Sequence, residues 1–394
     1  MKILHVAYIY PHTPNVADGI TTVVYNVTKE LVKRGHEVAV YTSDMLTLHG
    51  NGSMNSGHTV INGVNVYHSR SFLRSKTFIA TPATLSLLSK NLNSFDVIHI
   101  HDCRSFQGIS SYVFAKMKRV PYVYQAHGSY LSSLINSPGK ALAKIGLDKL
   151  VSSRIVRNAS RVIALSQMEA EQYRGIGIPD KKIAIVPNGI DLLPCSELQG
   201  KGFFKRKFEI QERKKMLLYL GRIHETKGIA LLLKAYAQMI KTQKCSNTIL
   251  VIAGPDDGYL AEAEALVSAF GISDSVLFTG YIDSRDKIGA LVDADIFVTP
   301  SFFGFPMTFL EACAVGTPIV TTTLGDTLEW INGNVGFVTS PSCQDLSNAL
   351  YALVTDFGLA ESFSNNCRKI AQEVFSMEKI VDKLEETYYE VICK

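Results

Sequence analysis

The sequence predicts an α/β protein built from two Rossmann-like, doubly wound domains. The chain has 394 residues, which is too long for one hydrophobic core and suits two domains of under about 200 residues each. Short β-rich apolar runs alternate with helical patterns, as they do in βαβ units that build a parallel sheet. The same alternation restarts after residue 213, so a second sheet is expected.

The first half of the chain carries seven predicted strands separated by helical patterns. The strands are expected at 3–9, 37–42, 64–67, 97–101, 122–126, 161–165 and 183–186. Helices are expected at 21–34 and 105–118. Doubly wound domains bind ligands at the carboxyl ends of their strands, in the crevice between the domains, so the residues that follow each strand deserve the closest inspection.

The second half repeats this organisation after a polar, basic segment at 191–213 that is broken by Gly and Pro. Its strands are expected at 216–220, 248–253, 276–280, 296–300 and 319–322. Helices are expected near 229–240 and 260–270, and a long amphipathic helix at 376–392. We therefore predict domains at 1–190 and 191–375, followed by a C-terminal segment at 376–394.

Composition narrows the class of protein. Hydrophobic residues make up 46% and charged residues 19% of the chain, which indicates a globular protein and excludes a disordered one. The seven cysteines form no CxxC pair, so neither a disulfide framework nor a zinc site is indicated, and a reducing cytoplasm is the simplest setting. The N-terminal run KILHVAYIYP is interpreted as a strand, not a signal peptide, and no apolar segment approaches the roughly 18 residues of a membrane span.

Charge is distributed unevenly between the halves. Residues 1–190 carry 21 Lys and Arg against 10 Asp and Glu, whereas the remainder carries 19 against 26. The basic half suits an anionic partner such as a membrane surface or an acidic acceptor, although a solvated surface explains it equally well. The basic stretch 140–158 is the segment expected to meet a membrane, and a helix packed by one face is the alternative. Its cations are Lys140, Lys144, Lys149, Arg154 and Arg157.

The most informative segment is TPSFFGFPMTFLEACAVGTP at 299–318. A strand end and a turn lead into a helix, and Pro306 is expected as its first helical residue. The N–H groups of Met307 and Thr308 then point out of the helix start and form an anion site that the helix dipole strengthens. Glu311 follows just over one turn later, placed for a hydroxylated sugar beside a phosphate. The alternative is an ordinary turn with a surface Glu.

A second cationic loop follows the strand in LYLGRIHETKG. Arg222 and Lys227 lie five residues apart between a strand and a helix, where two cations can clamp a diphosphate and stabilise its negative charge as it leaves. The loop is not a phosphate-binding GxxxxGK[ST] loop. Gly280 and Tyr281 end another strand, where backbone groups can contact a nucleobase.

Strand ends of the first half bring together glycines, histidines and an amide. Gly19 closes the first loop, where a ligand can approach the backbone, but GxGxxG is absent, which argues against a dinucleotide oxidoreductase. His101 and His127 end neighbouring strands, and histidine can donate to a sugar hydroxyl or exchange a proton near neutrality. Asn188 lies in VPNGID, a segment that marks the expected hinge. A structural role remains the alternative for each.

Taken together, these segments resemble the retaining family 4 glycosyltransferases of GT-B fold, and the resemblance covers nearly the whole chain. The segments that carry it are the Gly19 loop, QAHGS around His127, VPNGID at 186–191, GRIHETKG at 221–228, Gly280–Tyr281, GFPMTFLEACAVGTPIV at 304–320 and the closing FSMEKIVDKLEETYYEVI. Each segment alone is weakly specific, whereas the set in this order is highly specific.

The resemblance implies a UDP- or GDP-hexose donor on the second domain and a glycan or lipid-linked acceptor on the first, with no nucleic acid. It also implies retention of anomeric configuration by front-side attack, with no cofactor and no bound metal, because Arg222, Lys227 and the helix dipole supply the electrostatic stabilisation. The last helix would cross back onto the first domain. Catalytic roles fall to His127, Arg222 and Lys227. Donor binding falls to Gly19, Gly280, Tyr281, Phe303, Gly304, Phe305, Pro306, Met307, Thr308 and Glu311, and acceptor binding to His101 and Asn188.

One departure from the family pattern bears on activity. The family motif is Glu-x7-Glu, and the spacing back from Glu311 puts its first position at Phe303. A phenylalanine cannot accept a hydrogen bond from a sugar hydroxyl. Two interpretations stay open: an active glycosyltransferase, and a weakened relative that binds a nucleotide or glycan as a partner subunit. A third, an epimerase or phosphorylase of the same fold, has no support in the sequence.

Overall fold

A computed structural model of the chain describes residues 1–11, 19–46, 53, 55–74, 79–102, 105–128, 151–192, 200–243, 245–326 and 328–393. The chain divides into two compact units. The N-terminal unit comprises Met1–Gly189 and Met377–Lys394, and the C-terminal unit comprises Ile190–Ser376. The sequence analysis placed these boundaries after residues 190 and 375.

The N-terminal unit is built on an eight-stranded sheet of order β10-β9-β8-β7-β1-β2-β4-β3. All neighbouring strands run parallel except β3 and β4, which form an antiparallel hairpin. The strands are β1 (Lys2–Val6), β2 (Glu37–Ser43), β3 (Gly57–Ile61), β4 (Val64–Ser69), β7 (Val97–His101), β8 (Tyr122–Gln125), β9 (Arg161–Ala164) and β10 (Ile183–Ile185). A separate pair joins β5 (Leu73–Arg74) to β6 (Ile79–Ala80).

Helices of the N-terminal unit cover both faces of this sheet. Those described are α1 (Gly19–Lys33), α2 (Ala83–Asn91), α3 (Phe106–Lys118), α4 (Ser153–Asn158) and α5 (Gln167–Gly175). The core is formed by buried apolar strand residues such as Leu4, Ile98, Tyr124 and Val162, against which helix residues pack. The central strands β1, β7 and β8 are buried almost throughout, as expected of a parallel sheet covered by helices.

The C-terminal unit contains a six-stranded parallel sheet of order β13-β12-β11-β14-β15-β16. Its strands are β11 (Lys215–Leu220), β12 (Thr248–Ala253), β13 (Val276–Gly280), β14 (Ile296–Phe302), β15 (Ile319–Gly325) and β16 (Gly336–Thr339). Its helices are α6 (Phe203–Lys207), α7 (Ile229–Gln243), α8 (Leu260–Ala269), α9 (Ser284–Asp293), α10 (Met307–Val315), α11 (Cys343–Thr355) and α12 (Phe357–Glu373). Strand residues such as Leu217, Ile252 and Val298 form its core with α7 and α11.

The last helix, α13 (Met377–Ile392), belongs to the N-terminal unit although it follows the C-terminal unit in sequence. The Arg34 guanidinium lies 2.7 Å from an Asp382 carboxylate oxygen and 2.6 Å from one of Glu385. The Tyr388 hydroxyl reaches His99 Nδ1 at 2.7 Å inside the core. The apolar face of α13, with Ile380 and Leu384 both buried, supplies most of its stabilisation because exposed ion pairs contribute little.

The structure differs from the expected elements at the end of the first strand and in several strands that were missed. The first strand ends at Val6, not at residue 9 as predicted, because its register with β2 ends at the Val6–Tyr41 pair. Beyond it, Ala7 N–H donates to Tyr41 and Ser43 N–H donates to the Tyr8 carbonyl. Residues 7–11 are nevertheless buried. Their apolar sequence therefore resembles a strand, which explains why the predicted strand was too long. Strands β3, β5, β6 and β16 were not predicted. In the part of the chain that the structure describes, no helix has the length and hydropathy needed to cross a membrane.

Candidate functional site

The loop between β14 and α10 forms the centre of the candidate site in the C-terminal unit. Gly304 has φ +75°, a left-handed conformation that glycine adopts without strain. Pro306 was predicted to be the first helical residue of α10. With φ −68° and ψ 129° it is instead the N-cap, and the helix begins at Met307. Phe309 N–H donates to the Pro306 carbonyl at 3.2 Å. The N–H groups of Met307 and Thr308 precede that bond and form the orphan donors of the helix start.

Glu311 is held by a lysine that sequence reasoning missed. Lys287 Nζ, on α9, donates to Glu311 Oε1 at 2.6 Å. The second oxygen, Oε2, is buried and has no hydrogen-bond partner among the described residues. A buried carboxylate oxygen without a partner costs free energy, and a hydroxyl donor from a ligand would satisfy it.

Arg222 and Lys227 lie after β11, on a loop that ends in a 3-10 turn at Glu225–Lys227. The Arg222 guanidinium pairs with the Asp257 carboxylate and its side chain remains 63% exposed. Lys227 is partly buried, and within the described ranges no carboxylate pairs with it. Burial, with a smaller contribution from Arg222, lowers the pKa of Lys227 below its ordinary value. The loop therefore presents one paired and one unpaired cation.

Packing of Gly228 brings this loop to the strand that leads into α10. Gly228 has φ +72°, and a Cβ atom built there would lie 2.9 Å from Pro300 Cβ. Pro300 belongs to β14, three residues before Phe303. Glycine is therefore required at this position for two reasons, its conformation and the close approach. The sequence alone indicated two phosphate-binding elements, and the structure shows that they pack in one unit.

Phe303 lies on the loop between β14 and α10, and an unpredicted carboxylate, Asp326, reaches this loop from the end of β15. The Phe303 side chain is 44% exposed. Asp326 follows β15, and its carboxylate accepts the Gly304 N–H. Burial raises the pKa of Asp326, and the Gly304 N–H opposes that rise. The only sequence signal for Asp326 is that it follows a strand in TTLGD, since its contact with Gly304 depends on the pairing of β14 with β15.

Two other predicted donor residues differ in what they offer. Tyr281 is 74% exposed and follows Gly280, which has φ +67° and open space where a Cβ would lie. The Gly280 carbonyl accepts Gly254 N–H at 2.9 Å. Phe305, in contrast, is buried against Trp330 and Phe375. Its ring is part of an aromatic cluster, so donor binding at Phe305, which stays a prediction, would fall to the backbone of this residue.

In the N-terminal unit, His127 occupies a strained turn directly after β8. His127 has φ +55° and Gly128 φ +77°, so two consecutive residues are left-handed. This conformation is uncommon for a residue other than glycine and often marks functional sites. Glu169 holds the turn, since its Oε1 accepts Gly128 N–H at 3.2 Å and its Oε2 accepts Leu165 N–H at 2.6 Å. Sequence reasoning missed Glu169, which is itself buried.

His101 is buried behind His127, with histidines on both sides. His101 Nδ1 lies 2.8 Å from His127 Nε2, and His101 Nε2 lies 2.9 Å from His5 Nδ1. Its side chain is 1% exposed and both ring nitrogens face another imidazole. This geometry gives no support to acceptor binding by His101, which stays a prediction. The sequence search for metal ligands also missed that His5, His99 and His101 bring ring nitrogens within 4.8 Å of one another.

These histidines share one face of the sheet because of strand register. His5 on β1 is the register partner of His99 on β7, and His101 lies two residues further along β7. The rings of His99 and His101 stack with centroids 3.9 Å apart. Burial lowers the pKa of His5 and of His127 to about 3. Burial and the neighbouring imidazoles lower the pKa of His99 and His101 as well, so all four are neutral near pH 7.

Two predicted residues of the first half remain, Gly19 in the donor site and Asn188 in the acceptor site. Gly19 begins α1 and is exposed, while the loop before it, 12–18, lies outside the described residues. Asn188 is buried. Its neighbour Gly189 packs against α13, since a Cβ built there would lie 2.9 Å from Ile380 Cγ1. The VPNG segment thus has a packing role at the end of the N-terminal unit.

Comparison with known proteins agrees with this architecture. The Glycosyltransferase Family 4 model matches residues 17–192, and the Glycosyl transferases group 1 model matches residues 201–370. An uncharacterized glycosyltransferase of Methanocaldococcus jannaschii is 29% identical over 408 residues, which cover 98% of each chain. A D-inositol 3-phosphate glycosyltransferase of Corynebacterium jeikeium is 27% identical, with 98% of this chain and 97% of the relative covered.

Solved structures show the same fold. Anabaena HepE in complex with UDP and glucose has a TM-score of 0.73 at 18% identity, covering 99% of this chain and 100% of that chain. Two parallel-sheet units with this likeness show that the protein has the GT-B fold. The chain belongs to glycosyltransferase family 4, since the two models together match most of its length. The predicted fold class and the resemblance to this family are confirmed.

Proposed function

We propose that this protein transfers a hexose from UDP- or GDP-hexose to a glycan or lipid-linked acceptor with retention of configuration. The donor is bound by the C-terminal unit, and the acceptor by the N-terminal unit. Arg222 and Lys227 stabilise the diphosphate as it leaves, and no metal is needed for that step. Support for a nucleotide-sugar donor includes the UDP and glucose bound by Anabaena HepE.

One observation carries the proposal: Lys227 is a partly buried cation without a carboxylate partner in the described part of the chain. Such a charge is costly unless an anion completes it. Arg222, by contrast, is balanced by Asp257. A diphosphate at this loop would pair with Lys227, share Arg222 with Asp257 and accept the N–H groups of Met307 and Thr308.

The nucleoside is assigned to the residues around α10. Glu311 Oε2 would accept a ribose hydroxyl while Lys287 holds Oε1 in place. Tyr281, largely exposed after β13, would contact the base. Developing charge on the leaving diphosphate would be met by fixed donors that are already oriented, which is the most effective form of electrostatic catalysis.

A thermal-shift screen with UDP-, GDP- and ADP-sugars tests donor binding. At about 100 times the Kd, a ligand that binds only the native state stabilises it by about 2.7 kcal/mol, a shift of several degrees. Glu311→Ala should abolish most of that shift, whereas Lys234→Ala, an exposed lysine on α7, should not change it. If no nucleotide sugar shifts the melting temperature of the unaltered protein, donor binding as proposed is wrong.

A second candidate function is a catalytically weakened relative that binds a nucleotide or glycan as a partner subunit. The exposed Phe303 favours it, because the position that carries a carboxylate in the family motif has no hydrogen-bonding group here. A single-turnover assay for UDP or GDP formed from a sugar nucleotide separates the candidates. Both would bind the sugar nucleotide, but only the active enzyme would break its sugar–phosphate bond.

We further propose that the N-terminal unit contacts an anionic membrane surface to reach a lipid-linked acceptor. The basic stretch 140–158 motivates this proposal, although Lys140, Lys144 and Lys149 lie outside the described residues. Arg154 and Arg157 lie on α4. Each cation near such a surface adds about 1 kcal/mol, an attraction that salt screens.

Sedimentation with liposomes measures this contact. We expect pelleting with phosphatidylserine-rich vesicles at low salt, release at high salt and none with neutral vesicles. Replacing Lys140, Lys144 and Lys149 by glutamine should weaken pelleting at least tenfold. The same replacements at Lys234, Lys241 and Lys369 serve as the control and should leave pelleting unchanged. Absence of pelleting at low salt would rule out the contact.

A further inference from the structure

The end of β15 meets the loop between β14 and α10 and brings a carboxylate to it. The last register pair of the two strands joins Phe302 to Gly325. Asp326 follows directly, and its N–H donates to the Phe302 carbonyl at 2.9 Å. A Cβ built on Gly325 would collide with the Phe302 carbonyl oxygen, so the two strand ends are in close backbone contact. The backbone therefore holds Asp326 beside Phe303 and Gly304.

The two carboxylate oxygens of Asp326 have different surroundings. Oδ2 accepts the Gly304 N–H. Oδ1 has no hydrogen-bond or ion-pair partner among the described residues and, unlike Glu311 Oε2, it is not enclosed. An ionised carboxylate has about four sites that accept hydrogen bonds, so Asp326 can still accept from a ligand. Burial raises the pKa of Asp326, so its charged form would gain from a further donor.

Packing places the end of β15 next to both elements that would bind the donor diphosphate. A Cβ built on Gly228, in the cationic loop after β11, would lie 3.7 Å from Leu324 Cδ2. Leu324 is two residues before Asp326. On the other element, Gly304 is three residues before Met307, the first residue of α10, whose N–H is an orphan donor. A ligand bound to these donors is therefore close to Asp326.

The order of the parts of a sugar nucleotide agrees with this placement. In the proposed function, Glu311 binds the ribose and the first N–H groups of α10 bind the diphosphate. Glu311 lies four residues into the helix from Met307, a rise of about 6 Å. The sugar and the ribose are attached to opposite ends of the diphosphate. The sugar is therefore expected on the side of the helix start away from Glu311, where Gly304 and Asp326 lie.

We infer that Asp326 binds a hydroxyl of the transferred sugar and supplies, from the end of β15, the carboxylate that the family motif has at position 303. This assignment rests on the proposed function, because it requires a sugar nucleotide in this site. A glutamate at position 303 would lie near the Asp326 carboxylate, and like charges at short range repel each other. The uncharged Phe303 avoids that repulsion, which accounts for its presence at this position.

Asp326→Asn separates contact with a ligand from a structural role. The asparagine carbonyl can still accept the Gly304 N–H, but its NH₂ group then takes the place of Oδ1 and can only donate. We use the UDP-, GDP- or ADP-sugar that stabilises the unaltered protein most, and expect its Kd to rise at least tenfold in this variant. The Kd of the matching free UDP, GDP or ADP and the melting temperature should stay nearly unchanged, because other residues bind the nucleotide.

Asp356→Asn is the matched control, because Asp356 also accepts a backbone N–H, from Leu359 at 2.9 Å. Its neighbour Phe357 contacts Lys215 at the start of β11, at the opposite edge of the sheet, so neither Kd should change. An unchanged Kd for the sugar nucleotide in Asp326→Asn overturns the inference. An equal loss of affinity for the free nucleotide also overturns it, because the carboxylate would then be structural. If no sugar nucleotide stabilises the unaltered protein, the proposed function itself fails, and the assignment of Asp326 fails with it.

Phe303→Glu in the Asp326→Asn protein tests whether the two positions serve one purpose. The glutamate then meets no like charge and can accept the hydroxyl that position 326 no longer accepts. It should tighten binding of the sugar nucleotide at least fivefold more than it does in the unaltered protein, whereas Phe303→Leu in the same background should restore nothing. Equal effects of Phe303→Glu in both backgrounds would mean that the two positions act independently, and the inference would be wrong.

Discussion

Lys227→Ala is expected to lower kcat/KM for sugar transfer by about 30- to 900-fold, which corresponds to about 2–4 kcal/mol of transition-state stabilisation. Lys227 is the unpaired cation of the loop after β11, and charge builds up on the diphosphate as the sugar–phosphate bond breaks. Removal of a preoriented donor therefore costs most in the transition state. The reaction is followed by release of UDP or GDP from a donor that the thermal-shift screen has identified.

The same substitution should not destabilise the protein. Lys227 has no carboxylate partner among the described residues, and burial lowers its pKa. A lowered pKa means that folding disfavours the charged form, so the charge of Lys227 does not stabilise the folded protein. We expect an unchanged or higher melting temperature for Lys227→Ala, as is common where a site is built at the expense of stability. Lys234→Ala serves as the control for both measurements. A lower melting temperature with unchanged kcat/KM would mean that Lys227 is structural.

Dependence on metal completes this test. If Arg222, Lys227 and the start of α10 supply the electrostatic stabilisation, turnover should be the same with EDTA as with added Mg²⁺. Loss of turnover in EDTA that Mg²⁺ restores would show that an ion, and not this pair of cations, neutralises the diphosphate.

Phe303→Glu is expected to raise transfer or donor hydrolysis from a common UDP- or GDP-hexose by about tenfold or more. A carboxylate at this position can accept from a sugar hydroxyl, and a hydrogen bond to a charged group contributes about 1.5–3 kcal/mol. Nucleotide affinity should stay nearly constant, because Glu311 and the diphosphate loop are unchanged. Glu311→Ala should do the opposite and weaken nucleotide binding itself.

The Phe303→Glu experiment needs a control because the Asp326 carboxylate lies close to this position. Its carboxylate binds Gly304 N–H, next to residue 303, so a new glutamate would meet a like charge there. Phe303→Gln offers an acceptor of the same shape without that repulsion and separates charge from hydrogen bonding. If Phe303→Glu and Phe303→Gln both lower activity on every donor tried, Phe303 is an adapted working residue and the weakened-relative interpretation is wrong.

Much of the fold followed from local patterns. Strands β7, β12 and β13 were predicted with the bounds that the structure shows. Each is a short apolar run that ends at His, Ala or Gly, and β7 and β12 are buried along their whole length. The antiparallel hairpin of β3 and β4 was half missed, because the exposed β3 lacks an apolar run and pairs on one side only. The start of α10 was placed one residue early, since a proline suits either the cap or the first turn.

The candidate site was predictable only where the chemistry lies on one loop. The loop of Arg222 and Lys227 and the segment from Phe303 to Glu311 were each predicted as donor-binding elements from residue types at short spacing. The packing of the Phe305 ring on Trp330 and Phe375 could not be predicted, because nothing in the sequence distinguishes a ring that faces a ligand from one that packs in the core.

By itself, the sequence determined the two-sheet architecture, the family and the cationic loop, because these depend on periodicity and on neighbours along the chain. Tertiary structure decided which groups are paired. Lys287 meets Glu311 across 24 residues and Asp326 meets Gly304 across 22. His5 meets His101 across 96 residues, through the register of β1 with β7. Protonation, charge balance and access depend on such contacts, since a side chain's electrostatic environment is set by what packs around it in space.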